Sequence, residues 1–171
     1  MPGDILPFFV YGTLRPELNA NWLALEPYAE EHREAALPGF RLYANGVPYI
    51  GVGRPRDVVR GNLVTVRDRD YWSALAVLDG LEGYDPPDRT MYIRAGVSVW
   101  IGKAQWVAAW VYLGGPAFSF NRAAQVRDGD YVAYIRRRRE AYQRAREEEE
   151  VLRRAGEQLG ALDEQAARET A

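Results

Sequence analysis

The sequence predicts an α+β fold: a small closed or half-closed β-barrel of about six short strands, flanked by helices and followed by a charged helical arm. Three observations lead there. Short apolar runs alternate with turn residues over most of the chain. One internal segment repeats its apolar residues at helical spacing. Finally, the composition changes near Tyr131: all ten prolines lie at or before Pro116, and Tyr131–Ala171 holds 9 arginines and 9 acidic residues. The expected division is a globular domain over 1–130 and a charged helical extension over 131–171. A body of this length buries roughly 70% of its unfolded surface, enough for a core.

The elements follow in order. Pro7–Tyr11 (PFFVY) is a short strand ended by Gly12, and Leu18–Leu25 reads as a short helix. FRLYANG opens after Gly39, and Asn45-Gly46 is the strongest short-range hairpin signal in the chain. PYIGVG, from Pro48 to Gly53, is the returning strand, and Asn62–Val66 (NLVTV) is β-rich. Asp68–Leu81 reads as a helix. Asp68 or Asp70 is its expected cap, because a carboxylate accepts the orphan N–H groups of a first turn. Trp72, Leu75, Ala76 and Leu78 form its apolar stripe, and Gly83 and Pro86-Pro87 forbid continuation. Met91–Ile101 and Trp106–Leu113 make a second hairpin around Gly102.

In the arm, Tyr131, Tyr134, Ile135 and Tyr142 share one helix face. Ala145, Leu152, Leu159 and Ala166 then recur every seven residues, with Glu148 interrupting the seam. Such a pattern suits a solvated helix laced with charge pairs, or a helix that pairs with a second copy to give a homodimer.

Composition removes whole classes of chemistry. There is no cysteine and one histidine, His32, so disulfides, thiolate nucleophiles, iron–sulfur clusters and multi-histidine metal sites within one chain are not expected. Acid–base work falls to carboxylates, tyrosines or His32. With 22 basic against 24 acidic residues the formal net charge is −2, which argues against a nucleic-acid partner. No apolar run is long enough to span a membrane, and the first residues lack the pattern of a signal peptide, so a cytoplasmic protein is expected.

Two segments carry chemistry. In Phe9–Arg15 (FVYGTLR) a buried strand runs into a glycine turn. Such a turn either simply reverses the chain or exposes successive N–H groups as an anion site. In Leu78–Tyr84 (LDGLEGY) Glu82 stands at a helix C-terminus, where the negative end of the dipole raises its proton affinity. It is either an idle surface glutamate or an acid placed there for a task.

These segments together resemble the γ-glutamylcyclotransferase-like family, which includes γ-glutamylamine cyclotransferases and AIG2-like proteins. YGTLR (Tyr11–Arg15), LPGFRLY (Leu37–Tyr43), PYIGVG, LDGLEGYD (Leu78–Asp85), MYIR (Met91–Arg94), WVYL (Trp110–Leu113) and DGDY (Asp128–Tyr131) come in the family's order, over roughly residues 7–132. The resemblance implies an enzyme that needs no cofactor and no metal. It would cyclise a γ-glutamyl amine or amino compound to 5-oxoproline and release the amine. Glu82 matches the family's catalytic glutamate. Tyr11, Gly12, Thr13 and Leu14 would bind the glutamyl group through their backbone, with Tyr92 lining the pocket. The alternative is a non-catalytic module of the same fold acting through its C-terminal helix.

The pattern departs from many members at Asn62 and Val64, where Glu and Tyr are usual. Arg94 shares a strand face with Tyr92 and has Asp79, Asp85 or a substrate carboxylate as candidate partners. His32 lies among Glu30, Glu31 and Glu34 and reads as solvated. Arg136–Arg139 spread around a helix beside compensating glutamates.

Overall fold

A computed structural model describes residues 5–84 and 91–169. Among the described residues eight strands form two sheets: β1 (Phe8–Val10), β2 (Ala29–Pro38), β3 (Phe40–Asn45), β4 (Val47–Val52), β5 (Val58–Val66), β6 (Tyr92–Trp100), β7 (Trp106–Gly114) and β8 (Gln125–Val126). The α-helices are α1 (Trp22–Leu25), α2 (Tyr71–Glu82) and α3 (Tyr131–Glu169). A closed mixed barrel runs β1-β5-β2-β6-β7, and a separate sheet runs β4-β3-β8. The chain divides into two units, Met1–Val132 and Ala133–Ala171.

The α+β barrel is as predicted, but two strands were not. The first, β2, reads AEEHREAALP and carries five exposed residues in a row. Its charge hides it in sequence, and pairing makes it a strand: it runs antiparallel to β5 from Ala29↔Val66 to Pro38↔Val58 and touches β6 at Ala36↔Trp100. The other, β8, has two residues and exists through its register with β3. The hairpins are as expected. Asn45 pairs with Val47, leaving Gly46 at the tip, and Tyr92–Trp100 pairs along its whole length with β7. The barrel closes where β1 meets β7 in parallel at Phe8↔Trp110.

Three local expectations are corrected. The segment 18–25 is not one helix: a 3-10 turn at Pro16–Leu18 precedes the four-residue α1. Asp70 does not cap α2, since its carboxylate accepts from Arg67 Nε at 2.6 Å instead. The buried face of α2 is Tyr71, Ala74 and Leu78, not the stripe through Trp72 and Ala76; Trp72 is 52% exposed. The helix lies with Tyr71 stacked on Phe8, ring centroids 5.8 Å apart, and that contact sets its rotation. Continuing the same face by four residues from Leu78 reaches Glu82.

The core gathers Phe8 and Val10 of β1, Val64 and Val66 of β5, Leu25, Tyr49 and the inner face of α2. The Tyr71 hydroxyl accepts from Leu6 N–H and from Trp110 Nε1, both at 3.1 Å, so this buried phenol is paired. In the second unit, Glu150 pairs with Arg153 and Arg154 at 2.7 Å, one helical turn apart. Tyr142 does not extend a buried face: it is 65% exposed. Among the described residues no helix is long and apolar enough to cross a membrane.

Candidate active site

The site forms where β1 runs out. Phe8, Phe9 and Val10 are all buried, and the chain then turns through Tyr11–Arg15. Arg15 N–H donates to Gly12 O at 3.0 Å, and Asn21 N–H to Thr13 O at 3.1 Å. Those bonds fix the carbonyls of the loop. Among the described residues no hydrogen bond occupies the N–H groups of Gly12, Thr13 and Leu14. An anion site needs donors left unoccupied in this way, and a simple reversal does not. Glycine at position 12 is a matter of space: a Cβ there would lie 2.5 Å from Pro48 Cγ on β4.

The loop is one wall of a small cleft. Tyr11, Gly12, Thr13, Leu14, Glu82 and Tyr92 all line it, so the six residues singled out in sequence meet in one place. Phe8, Pro48, Leu78 and Tyr112 line it too and were not foreseen. Their signals were weak: an alternating position in WVYL for Tyr112, and the residue after a hairpin turn for Pro48.

Glu82 is the last residue of α2. Gly83 follows with φ 60, and the Gly83 and Tyr84 N–H groups close the helix on Gly80 O and Asp79 O. An L side chain is strained at that φ, so the glycine is what lets the chain leave the helix at once. Glu82 continues the face of Leu78, so its carboxyl is carried inward. Burial pushes its pKa from 4.5 up to about 7. The direction is the one expected for a helix C-terminus, but the cause here is desolvation. Among the described residues no hydrogen bond or ion pair is made to this carboxyl.

Two phenols flank it. Burial, and then the charge of Glu82, raise the pKa of Tyr11 and Tyr92 well above that of a free tyrosine. Both stay protonated, and both protons are engaged: Tyr11 Oη donates to Tyr112 O at 2.7 Å and Tyr92 Oη to Pro48 O at 2.6 Å. They brace the cleft from β7 and β4.

Asp79 secures the end of α2. Its carboxylate accepts from Arg94 Nη1 and from Tyr112 Oη, each at 2.6 Å. Arg94 also lies over the Tyr84 ring, 4.8 Å from its centroid. Of its candidate partners, Asp79 is therefore the one met; Asp85 lies outside the described residues, as do Pro86 and Pro87. Asp79→Asn is expected to lower stability by about 1.5–3 kcal/mol, the cost of losing a charged acceptor to two donors. Thermal melting against the unaltered protein checks this.

Asn62 and Val64 do not line the cleft. Asn62 accepts from Arg15 Nε at 2.9 Å, and Val64 is fully buried in the core. His32 is exposed, its ring edge-on to Trp22 at 5.3 Å. Among the described residues no group of three or more His, Asp or Glu side chains is placed to hold a metal ion.

The family model described as "Gamma-glutamyl cyclotransferase, AIG2-like" matches residues 8–133. Among solved structures, an uncharacterized protein from Pyrococcus horikoshii is similar at 18% identity and TM-score 0.58, over 79% of this chain and 97% of that one. An AIG2-like protein from Mus musculus is similar at 19% identity and TM-score 0.56, over 75% and 88%. YkqA from Bacillus subtilis matches at 20% identity and TM-score 0.52, over 74% of this chain and 39% of its own. At these identities the likeness is one of fold. No curated protein matches the sequence significantly.

Proposed function

Because the chain belongs to the gamma-glutamyl cyclotransferase, AIG2-like family, we propose that it cyclises the γ-glutamyl group of an amine or amino compound to 5-oxoproline and releases the free amine. The family's chemistry is γ-glutamyl cyclotransferase-like; the reading for this chain rests on one observation. Glu82, the unpaired acid of the cleft, sits desolvated across from free backbone donors, with a pKa of about 7.

The reaction needs little else. The substrate's α-amino nitrogen attacks its own γ-carbonyl carbon. A ring C–N bond forms and the bond to the departing amine breaks. The attacking nitrogen must shed a proton and the leaving nitrogen must gain one. A single carboxyl poised near neutral pH performs both steps in turn. The N–H groups of Gly12, Thr13 and Leu14 are suited to the substrate carboxylate or to charge developing on the carbonyl oxygen. Folding the glutamyl chain so that nitrogen meets carbon supplies on the order of 7–11 kcal/mol of the barrier. Leu14, Phe8 and Leu78 keep the cleft apolar, which sustains the raised pKa.

The test is a panel of γ-glutamyl amines and γ-glutamyl amino acids, with 5-oxoproline measured directly. Turnover of one class supports the reading, and no turnover of any member overturns it. The pH profile adds a second check. Glu82 must begin as carboxylate to accept the ammonium proton, so kcat/KM is expected to rise with pH through an apparent pKa near 7. A limb near 4.5, the ordinary value, would mean that the acting acid is not Glu82 as it sits in this cleft.

A further inference from the structure

The three-stranded sheet carries a second feature, which shares no wall residue with the cleft of Glu82. It is an open trough of about 910 Å3. Four stretches of chain bring five arginines to it. Arg41 comes from β3, Arg54 and Arg56 from the turn after β4, Arg122 from a 3-10 turn before β8, and Arg127 from just beyond β8. Among the described residues lining it Asp57 is the one acid, which leaves a formal excess of four positive charges (five minus one).

Asp57 is already committed. Its Oδ2 accepts from Arg41 Nε and from the Arg54 N–H, both at 2.6 Å. The Arg54 charge also acts on Asp57, while among the described residues no ion pair or hydrogen bond is made to the guanidiniums of Arg56, Arg122 and Arg127. Asp128 lies on a neighbouring depression that shares Arg41, Arg56 and Arg127, and it does not line the trough. The whole chain is formally −2, so this convergence runs against the general balance. Like charges gathered this way repel, and a bound anion relieves them. Phe120 stands in the wall, 46% exposed, beside Arg122.

We propose that this trough binds a small ligand bearing two or more phosphate groups, gripped by Arg54, Arg56, Arg122 and Arg127. Guanidinium forks match phosphate oxygens two at a time, and a net excess of four positive charges matches a diphosphate better than a single carboxylate. The overall negative charge opposes a long polyanion, whose flanks would leave the trough for an acidic surface. The ligand is either an inorganic polyphosphate or the phosphate chain of a nucleotide, for whose base the exposed part of Phe120, a ring otherwise packed on Tyr43 and Tyr49, is the apolar contact at hand.

Titration calorimetry of the full chain with inorganic pyrophosphate and with ADP tests this. Binding that weakens steeply with added salt is expected. The double variant Arg56→Ala/Arg127→Ala, both exposed positions, is expected to bind at least ~10-fold more weakly, the loss of two charge-assisted contacts, with its melting unchanged. ADP binding more tightly than pyrophosphate, with the gain lost in Phe120→Leu, assigns a nucleotide; equal binding assigns the phosphate chain alone. The proposal is overturned by no binding of either probe at about 10 mM, far above a useful Kd. It is equally overturned if the double variant binds as well as the unaltered chain, or if a single-stranded RNA binds more tightly than pyrophosphate.

Discussion

Glu82→Gln is expected to lower the rate of 5-oxoproline formation by about 10²–10⁴-fold, the usual range for removing a general acid–base group. The same change is expected to stabilise the protein at neutral pH, and the sign follows from the pKa. Glu82 has its folded value raised from 4.5 to about 7, so the native state favours the protonated form. Its contribution to stability is fully present below pH 4.5 and is lost as pH rises through about 7. Above that pH the fold carries a desolvated carboxylate at a cost of about 3 kcal/mol, from 1.36 kcal/mol per pKa unit. Glutamine has nearly the same shape and no charge to desolvate. The melting temperatures of the two proteins should therefore be close below pH 4.5 and separate by about 6–12 °C by pH 8. Circular dichroism melts across that range check the stability half, and a 5-oxoproline assay the catalytic half. A gap that does not vary with pH would mean that the carboxyl is not desolvated. Full turnover by the variant would end its assignment as the acting acid. A gain in stability alongside a loss of rate is what a functional group placed against local preference should show.

Arg15→Ala is expected to cost about 2–3 kcal/mol, from hydrogen bonds lost to charged groups and a buried amide left unpaired, since its carboxylate partners are 26% and 39% exposed and regain water. Arg15 closes the YGTLR segment with a side chain only 7% exposed. Its Nε donates to Asn62, its Nη1 to Asp130 and its Nη2 to Glu17, each at 2.9 Å. One guanidinium thus ties the loop after β1 to the middle of β5 and to the residue before α3. Asp130 also accepts the Val132 N–H at 3.0 Å, so the same carboxylate starts a helix. Removing the arginine leaves Asn62 Oδ1 buried without its donor. Arg15→Lys is expected to recover only part of the loss, because an ammonium cannot serve three acceptors in one plane. Chemical denaturation of the two variants checks both statements. A cost under about 1 kcal/mol for alanine would place Arg15 among surface ion pairs, not among buried ones.

The partners of Arg15 are not legible in its local sequence. Its segment stood out for its glycine and its donors, and the arginine had no partner in view. Asn62 lies 47 positions away and Asp130 115 positions away, and no local pattern links them. By sequence Asn62 is a departure from family habit; in the structure it is a buried acceptor for Arg15. The Arg94–Asp79 pair was among the options because strand alternation and helix spacing each placed one partner. Tyr112, which donates to the same carboxylate, was not, because nothing in WVYL fixes which strand face meets α2. The stripe on α2 was misplaced for a related reason. Trp72 is more apolar than its neighbours, but the stack of Tyr71 on Phe8 decides which side of the helix turns inward.

From the sequence alone come the elements with strong local grammar: the Asn45-Gly46 hairpin, the long β6–β7 hairpin, the stop at Gly83 and the helical arm. Local signals marked the turn at Tyr11–Leu14 and the helix end at Glu82, because turns and helix ends are written in a few adjacent residues, and the family resemblance added Tyr92. Tertiary structure decided the rest. It made a strand of the charged β2, whose pairing with β5 and β6 outweighs its poor intrinsic preference. It split one expected sheet into a barrel and a three-stranded sheet. It turned Glu82 from an acid at a helix end into a desolvated one, since burial depends on what packs around a residue and not on its neighbours in the chain. It also drew arginines from four stretches of chain into one trough, a convergence that appears only when those stretches are brought together in space.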